Sequence, residues 1–247
     1  MKAQKLRGRE GIVSARISFF FVLYTILLAA TSQALAAWDI YHDTDIHSGT
    51  YGLIDIYDSP PDNTTVNFYG DLADYIGTHD SSTLNFFSGE AELQAMDTSA
   101  MNISGGDISL MLARHESKID VSGSTNINNL GSEDFSKINI MGGTINEMAA
   151  VDSGIINLYG GELIEGIYAT DFGQINVYGH DLVKTTSGGY YGYGQLYGYL
   201  TDETYICVDI FDLGTHDHIY LIPEPTTLAL FVVGILVLLQ KKELHKQ

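Results

Sequence analysis

Apolar and polar residues alternate in short triplets along the middle of the chain, each with an Asn or Asp between two apolar side chains. The seven triplets are Val66-Asn67-Phe68, Leu84-Asn85-Phe86, Met101-Asn102-Ile103, Ile119-Asp120-Val121, Ile138-Asn139-Ile140, Ile156-Asn157-Leu158 and Ile175-Asn176-Val177. Their centres follow one another at intervals of 17 to 19 residues, and glycine follows each triplet at a similar offset. A fixed period of this length predicts a solenoid, in which each repeat forms one coil.

Strand alternation explains the triplets, because the two apolar side chains face one way and the central amide faces the other. Stacked coils would pair every strand edge and collect the apolar side chains in one interior. Two further apolar sets complete the coils: Leu93, Ile108, Ile127, Ile145, Leu163 and Leu182, and then Leu112, Leu130, Met148 and Ile167. The pattern predicts an all-β, single-domain parallel β-helix (a β-solenoid) with three short strands and about 18 residues per coil. The uneven apolar spacing favours right-handed coils over the left-handed hexapeptide helix.

The repeat core covers about residues 60–184, and both of its ends need a cap because a solenoid exposes its last strand edges. Residues 38–56 are predicted to form a first strand and a cap, with Trp38 as its apolar plug. Residues 187–200 are rich in Gly and Tyr, and residues 205–211 and 218–222 alternate as strands do. These segments predict a C-terminal cap, so that the folded body covers residues 37–222.

The first 36 residues have the three parts of a secretory signal peptide. Five basic residues precede residue 17, an apolar run covers residues 17–30, and Ala34 and Ala36 form an A-x-A cleavage site. The run is shorter than the roughly 20 residues of a membrane span. Residues 1–36 are therefore predicted to form a signal helix that is cleaved after Ala36 on export.

The C-terminus also has three parts: Pro223-Glu224-Pro225, an apolar segment over residues 226–239, and three lysines in the last seven residues. The prolines end a strand because they lack a backbone donor, and lysines stay on the cytoplasmic side of a membrane span. This arrangement resembles the PEP-CTERM sorting signal, including Gly234 within the apolar segment. The resemblance covers residues 223–247 and departs in its basic cluster, which contains only lysines and is interrupted by Glu243.

The resemblance implies a route for the protein. In that family a membrane protease of the exosortase type recognises the tail and is thought to remove it, so Pro223, Glu224 and Pro225 would be the recognition motif. Residues 226–239 would be a transmembrane helix that anchors the protein transiently in the inner membrane of a Gram-negative bacterium. The destination would be the cell surface or the extracellular matrix, with extracellular polysaccharide as a partner.

The charge of the body excludes other partners. Residues 37–222 hold four basic and 28 acidic residues, a net charge of −24. Nucleic acid and anionic lipid bind clustered Lys and Arg, so no nucleic acid is expected as a partner. The single cysteine, Cys207, cannot form an intramolecular disulfide, and the alternation of residues 205–211 predicts that its side chain is buried.

Two outward columns of side chains are candidate sugar-contacting surfaces. The amides at the triplet centres predict a structural ladder, with a sugar-contacting face as the alternative. A second column lies two residues further on and contains aromatic rings that could stack on sugars: Tyr69, Phe87, Ser104, Ser122, Met141, Tyr159 and Tyr178. This column is interrupted in the middle, which favours packing against loops over a continuous carbohydrate platform.

A third column consists of acids that precede the triplets at a nearly constant offset: Asp80, Asp97, Glu116, Asp134, Asp152 and Asp171. Like charges one strand spacing apart repel by about 1 kcal/mol per pair in water. Ca²⁺ bound by Asp97, Glu116, Asp134, Asp152 and Asp171 would relieve this repulsion. We favour the alternative, in which each acid begins a turn by accepting a backbone hydrogen bond two residues on. No cofactor is then needed.

The sequence does not predict an active site. Right-handed β-helices include polysaccharide lyases and hydrolases, but the only candidate bases in the repeat are Arg114, Lys118 and Lys137, and the acids are spread evenly. Alternation places His216 and His218 on one face, where a polar turn is favoured over a metal site. We expect a non-catalytic surface or matrix protein associated with exopolysaccharide or the cell envelope. The alternatives are a carbohydrate-active β-helix enzyme and a calcium-stabilised adhesin.

Overall fold

The computed structural model of the protein describes residues 37–60 and 63–223. The described residues from Trp38 onward belong to one compact unit. No helix among them has the length and apolarity that crossing a membrane requires. Several predicted features lie outside the described residues: the cleavage residues Ala34 and Ala36, the motif residues Glu224 and Pro225, and the apolar segment 226–239.

The body is built almost entirely of β-strands. The strands are β1 Trp38–Ile40, β2 Thr44–Ile46, β3 Thr50–Ile56, β4 Thr65–Phe68, β5 Leu72–Thr78, β6 Thr83–Phe86, β7 Glu90–Ala95, β8 Ala100–Ala113, β9 Lys118–Ser132, β10 Lys137–Ala150, β11 Ile155–Ala169, β12 Gln174–Lys184, β13 Gln195–Leu200, β14 Tyr205–Ile210 and β15 Ile219–Pro223. A 3₁₀ helix spans Gly214–His218. The all-β class predicted from the sequence is confirmed for this part of the chain.

Consecutive coils lie directly on one another in parallel register. Ile138 pairs with Ile119 on one side and with Ile156 on the other, and Ile156 pairs with Ile175. All four side chains are fully buried, which confirms the stacked apolar interior. The column that runs from β2 to β15 has eight steps between paired strands. At about 4.8 Å per step it is roughly 38 Å long.

Glycines let a coil turn a corner without ending its strand. The pairing of β8 with β9 shifts register between Ile103 and Gly105. Gly106 has a φ of 95°, and a Cβ at this position would lie 2.6 Å from the carbonyl oxygen of Gly89 in the preceding coil. Glycine is the residue that fits both this backbone conformation and this close approach. The three predicted strands per coil are therefore segments of one bent strand of 14 or 15 residues in β8 to β11.

The other two apolar columns differ from the prediction at their N-terminal ends. Leu93 pairs with Met111 instead of Ile108, and Ala91 pairs with Ile108. Leu93 thus belongs to the third column, and Met111 takes the place predicted for Leu112. The reason is a register shift after Ala91, where β8 has one extra residue relative to β7. Counting from the triplet centres did not include this shift.

The N-terminal segment forms a further coil instead of a separate cap. β1 pairs with β3 and β2 pairs with β4, both in parallel, so Asp45 continues the column of triplet centres. Trp38 is 41% exposed, and its ring stacks on Tyr51 at a centroid distance of 5.6 Å. The prediction of a buried Trp38 plug is therefore wrong, and Ile40 and Ile46 fill the interior at this end.

The C-terminal end is covered by an antiparallel hairpin, as a solenoid edge requires. β13 pairs with both β12 and β14 in antiparallel fashion, and β15 returns parallel to β12. Lys184 Nζ donates to the carbonyl oxygens of His216 at 2.6 Å and Ile219 at 2.8 Å. These bonds join the end of β12 to the 3₁₀ helix and to β15. The predicted C-terminal strands are present as β14 and β15.

Candidate functional site

The triplet centres form a ladder of hydrogen bonds along the outside of the coils. In six pairs the side-chain Nδ2 of an Asn donates to a side-chain oxygen of the preceding coil: Asn67 to Asp45, Asn85 to Asn67, Asn102 to Asn85, Asn139 to Asp120, Asn157 to Asn139 and Asn176 to Asn157, at 2.6 to 2.9 Å. The amides are therefore bonded to one another, and the structural-ladder interpretation is confirmed.

Asp120 interrupts this ladder. A carboxylate has no N–H to donate, so Asp120 accepts from Asn139 but gives no hydrogen bond to Asn102 in the preceding coil. Lys118 lies two residues earlier on the same strand, and its Nζ is 2.5 Å from Asp120 Oδ2. The lysine places a positive charge beside the carboxylate that stands in the middle of the ladder.

The acidic column lies in the turn before each triplet, where the backbone is left-handed. The φ angle is 54° to 58° at Asp80, Asp97, Asp134, Asp152 and Asp171. The equivalent residue in the remaining coil is His115, with a φ of 56°. Glu116 was predicted to fill this position, but it lies one residue further on. The turn residue is the fifth before each triplet centre, and that count identifies His115. Asp and His tolerate a left-handed backbone better than most residues.

Two of the turn carboxylates, those of Asp97 and Asp134, bond to the preceding coil and not to the backbone two residues on. Asp97 Oδ2 accepts from the backbone N–H of Asp80, and Asp134 Oδ2 accepts from that of His115, each at 3.2 Å. His115 Nδ1 lies 3.1 Å from Asp97 Oδ1. The predicted turn position is therefore confirmed for five of the six acids, and at Asp97 and Asp134 the carboxylate has a different bonding partner from the one predicted.

The calcium interpretation loses one of its five ligands from the column, because Glu116 is displaced from it. Within residues 37–60 and 63–223, no group of three or more His, Cys, Asp and Glu side chains is gathered as a metal ion would need. Calcium binding at Asp97, Asp134, Asp152 and Asp171 stays a prediction that rests on charge alone.

A column of buried serines lies beneath the same turns. Ser82, Ser99, Ser117 and Ser136 are at most 1% exposed. Ser117 Oγ accepts from the backbone N–H of Arg114 and donates to the carbonyl oxygen of Ala95 in the preceding coil, both at 3.1 Å. Sequence analysis missed this column, although a Ser three residues before the triplet centre recurs in four consecutive coils. The two backbone groups also bond to each other, since the Arg114 N–H donates to the Ala95 carbonyl oxygen at 2.9 Å. The buried hydroxyl of Ser117 is therefore satisfied by a backbone pair that joins two coils.

The aromatic column is interrupted, and its rings stack on one another. Tyr69 stacks on His47 at 5.2 Å and on Phe87 at 4.6 Å, and Tyr159 stacks on Tyr178 at 4.2 Å. The residues between the two stacks are Ser104, Ser122 and Met141. The ring faces that contact one another within these stacks are not available to a sugar ring.

Two phenylalanines stand free on the turns, and sequence analysis did not identify them. Phe135 is 73% exposed and Phe172 is 77% exposed. Each directly follows a left-handed Asp of the acidic column. The strands that follow are paired in register, so Ser153 occupies the same position in the coil between them. The signal in the sequence was a large apolar residue at a turn position that is polar in the other coils.

The candidate lyase bases are close to acids or to each other. Arg114 Nε donates to Glu133 Oε2 at 2.8 Å, and Lys118 contacts Asp120 as described above. Lys137 pairs in register with Lys118, which confirms that the two lysines share a column. Two of the three candidate bases are therefore paired with a neighbouring carboxylate.

Glu147 and Glu165 depart from the even spacing that was expected of the acids. Their carboxyl groups interact across neighbouring coils. Burial raises the pKa of Glu147, and the interaction with the Glu165 carboxyl raises it further.

The raised pKa of Glu147 gives a prediction for the pH dependence of stability. The folded protein holds a proton that the unfolded chain has released, so this contribution is present below the ordinary pKa of 4.5. It is lost as the pH rises through the raised value. We expect the melting temperature of wild type to fall relative to that of Glu147→Gln as the pH rises from about 4 to about 8. Glu162→Gln, an exposed residue of the same strand as Glu165, should follow wild type. An equal change in melting temperature with pH for wild type and Glu147→Gln would contradict the raised pKa of Glu147.

The two C-terminal histidines have separate structural roles. His216 Nε2 lies 2.7 Å from the carbonyl oxygen of Tyr193, and His218 Nδ1 lies 2.9 Å from that of Gly173. The segment is a 3₁₀ turn, so strand alternation does not apply and the prediction of one shared face is wrong. The favoured interpretation as a polar turn is confirmed.

Cys207 is exposed, so the prediction of a buried thiol is wrong. The alternation of β14 places Ile206 and Val208 in the interior and leaves Cys207 on the other face. The alternation of residues 205–211 was predicted correctly, but the wrong set of alternate residues was assigned to the interior.

The comparisons with known proteins do not assign the chain to a family. No family model matches the chain, and neither a curated protein nor a solved structure matches it. The fold therefore defines the class of the described body, a parallel β-solenoid repeat protein.

Proposed function

We propose that the protein is a non-catalytic component of the cell surface or extracellular matrix and that it associates with exopolysaccharide or the cell envelope. The observation that carries this proposal is the use of the outward columns for holding coils together. The amides bond to amides along the ladder, and turn carboxylates at Asp97 and Asp134 bond to backbone. Such a body is a stiff acidic scaffold, and we take its coils to be right-handed.

The two ends of the chain would be the signals that export and sort this scaffold. Residues 1–36 would be removed after Ala36, and the PEP-CTERM-like tail would be recognised at Pro223, Glu224 and Pro225 by an exosortase-type protease. Removal of the tail after Pro223 would leave the fifteen described strands in the mature protein.

Mass spectrometry of the mature protein from its native host tests the processing. We expect an N-terminus at Ala37 and a C-terminus close to Pro223. Glu224→Ala should retain the tail in the membrane fraction, whereas Glu243→Ala, outside the motif, should be processed as wild type. Recovery of the mature protein with its tail intact would contradict the sorting part of the proposal.

Co-sedimentation with the exopolysaccharide of the same host tests the association. We expect the mature protein to pellet with the polymer and to leave its chain length unchanged. Shortening of the polymer that is lost on replacing Arg114, Lys118 or Lys137 would instead support the enzyme alternative. A protein that stays in the supernatant would contradict the association.

A further inference from the structure

Phe135 and Phe172 form an exposed aromatic pair on one corner of the solenoid. We propose that this pair and the carboxylates of Asp152 and Asp171 form a binding site for a neutral glycan with an extended backbone of pyranose rings. The inference rests on the proposed association with exopolysaccharide and specifies the chemistry of the ligand and the residues that bind it.

The rings are free to stack on a ligand. In the described part of the chain neither Phe135 nor Phe172 contacts another aromatic ring, in contrast to the stacked pairs of the aromatic column. The two residues are two coils apart, about 9.6 Å along the solenoid axis. The small side chain of Ser153 leaves the space between them open. Every second sugar ring along an extended β-1,4-linked glycan has a comparable spacing, so each phenyl ring could contact one apolar sugar face.

Carboxylates beside the rings can bind the hydroxyl groups of such a ligand. Asp152 and Asp171 are exposed, and neither carboxylate has a hydrogen bond to a residue that the structure describes. Asp97 and Asp134, at the same position in earlier coils, do bond to backbone. A sugar hydroxyl donates and a carboxylate accepts, and hydrogen bonds to charged groups are the stronger kind. Free acceptors thus lie next to free rings on this corner.

The charge of the corner favours a neutral glycan over other occupants. An anionic glycan would meet Asp152 and Asp171 on a body with a net charge of −24. Insertion of the rings into a lipid layer would force the same carboxylates out of water, which is costly. Two isolated rings also bury much less area than the roughly 800 Å² per partner of a standard protein interface. A polymer that combines apolar faces with hydroxyl donors fits both features.

Calorimetric titration of the purified mature protein tests the proposal. The probes are cellohexaose, a neutral extended glycan, and hexagalacturonate, an anionic glycan of the same length. We expect cellohexaose to bind more tightly than hexagalacturonate. Phe135→Ala and Phe172→Ala should each weaken cellohexaose binding by about threefold to tenfold, the loss of one aromatic contact. Asp171→Asn, which keeps an acceptor but removes the charge, should weaken it less than either.

Tyr190→Ala is the matched control, because Tyr190 is 90% exposed but lies on the C-terminal loop. Its binding should equal that of wild type, and all variants should keep the wild-type melting temperature because the rings are exposed. Equal binding by wild type and both Phe variants would overturn the site, as would equal weakening by Tyr190→Ala. If wild type did not bind cellohexaose, the neutral-glycan class would be overturned. If wild type bound phosphatidylcholine vesicles and both Phe variants did not, the corner would be a lipid-binding site. Neither result would affect co-sedimentation with the native polymer, which tests the association separately.

Discussion

Replacing Ile156 by Ala is expected to lower the free energy of unfolding by about 2 to 5 kcal/mol. Ile156 is fully buried and lies between Ile138 and Ile175 in the interior column. The coils on either side are held at fixed spacing by backbone pairing, so they cannot collapse into the space left by the removed atoms. Urea unfolding monitored by circular dichroism measures the loss, as a lower midpoint at an unchanged slope.

Ile155→Ala is the matched control for this experiment. Ile155 precedes Ile156 on β11 but is only partly buried, on the outward side of the strand. The same truncation there should cost about 1 kcal/mol or less. Similar losses at the two positions would mean that the faces of β11 are assigned incorrectly.

The stacking of the coils could be predicted because two independent signals agree. The period of 17 to 19 residues predicts a solenoid, and the alternation within each triplet determines which side chains face the interior. Ile138, Ile156 and Ile175 lie in register for this reason. The amide ladder follows from the same register, because identical residues at equal spacing meet across each coil boundary.

Details that depend on backbone geometry between the triplets could not be predicted in the same way. Leu93 was placed in the wrong column because the register shift after Ala91 has no signal in the pattern of apolar residues. Glu116 was chosen for its charge, whereas the turn requires the residue that has a left-handed backbone, which is His115.

The candidate site was missed for a related reason. Phe135 and Phe172 do not belong to any apolar period, since they occupy a turn position that points to solvent. The buried serines were missed because a hydroxyl gives no apolar signal, although Ser117 is as buried as the isoleucines. Both sets become visible only when residues are aligned by their offset from the triplet centres.

Asn157→Asp is expected to destabilise the protein by about 3 kcal/mol or more, because it introduces a buried charge that lacks a partner. Asn157 is 3% exposed. Its Nδ2 donates to Asn139 Oδ1 at 2.8 Å, and its Oδ1 accepts from Asn176 at 2.9 Å. The aspartate keeps the second bond but brings a carboxylate oxygen against the oxygen of Asn139. Urea unfolding at neutral pH measures the effect.

The natural pair of Asp120 and Lys118 suggests how this loss can be reversed. Ile155 stands two residues before position 157, as Lys118 stands two residues before Asp120. Ile155→Lys should therefore restore about 1 kcal/mol or more in the Asn157→Asp protein and much less in wild type, which a double-mutant cycle measures.

Lowering the pH should reduce the same defect, because a protonated carboxyl at position 157 can donate to Asn139 Oδ1 and close the ladder again. Burial raises the pKa of such a group in the folded protein, so the defect is small at acidic pH and grows as the pH rises through that pKa. If the loss in the free energy of unfolding of Asn157→Asp changed neither with pH nor with the added lysine, the amide ladder would not hold the coils together.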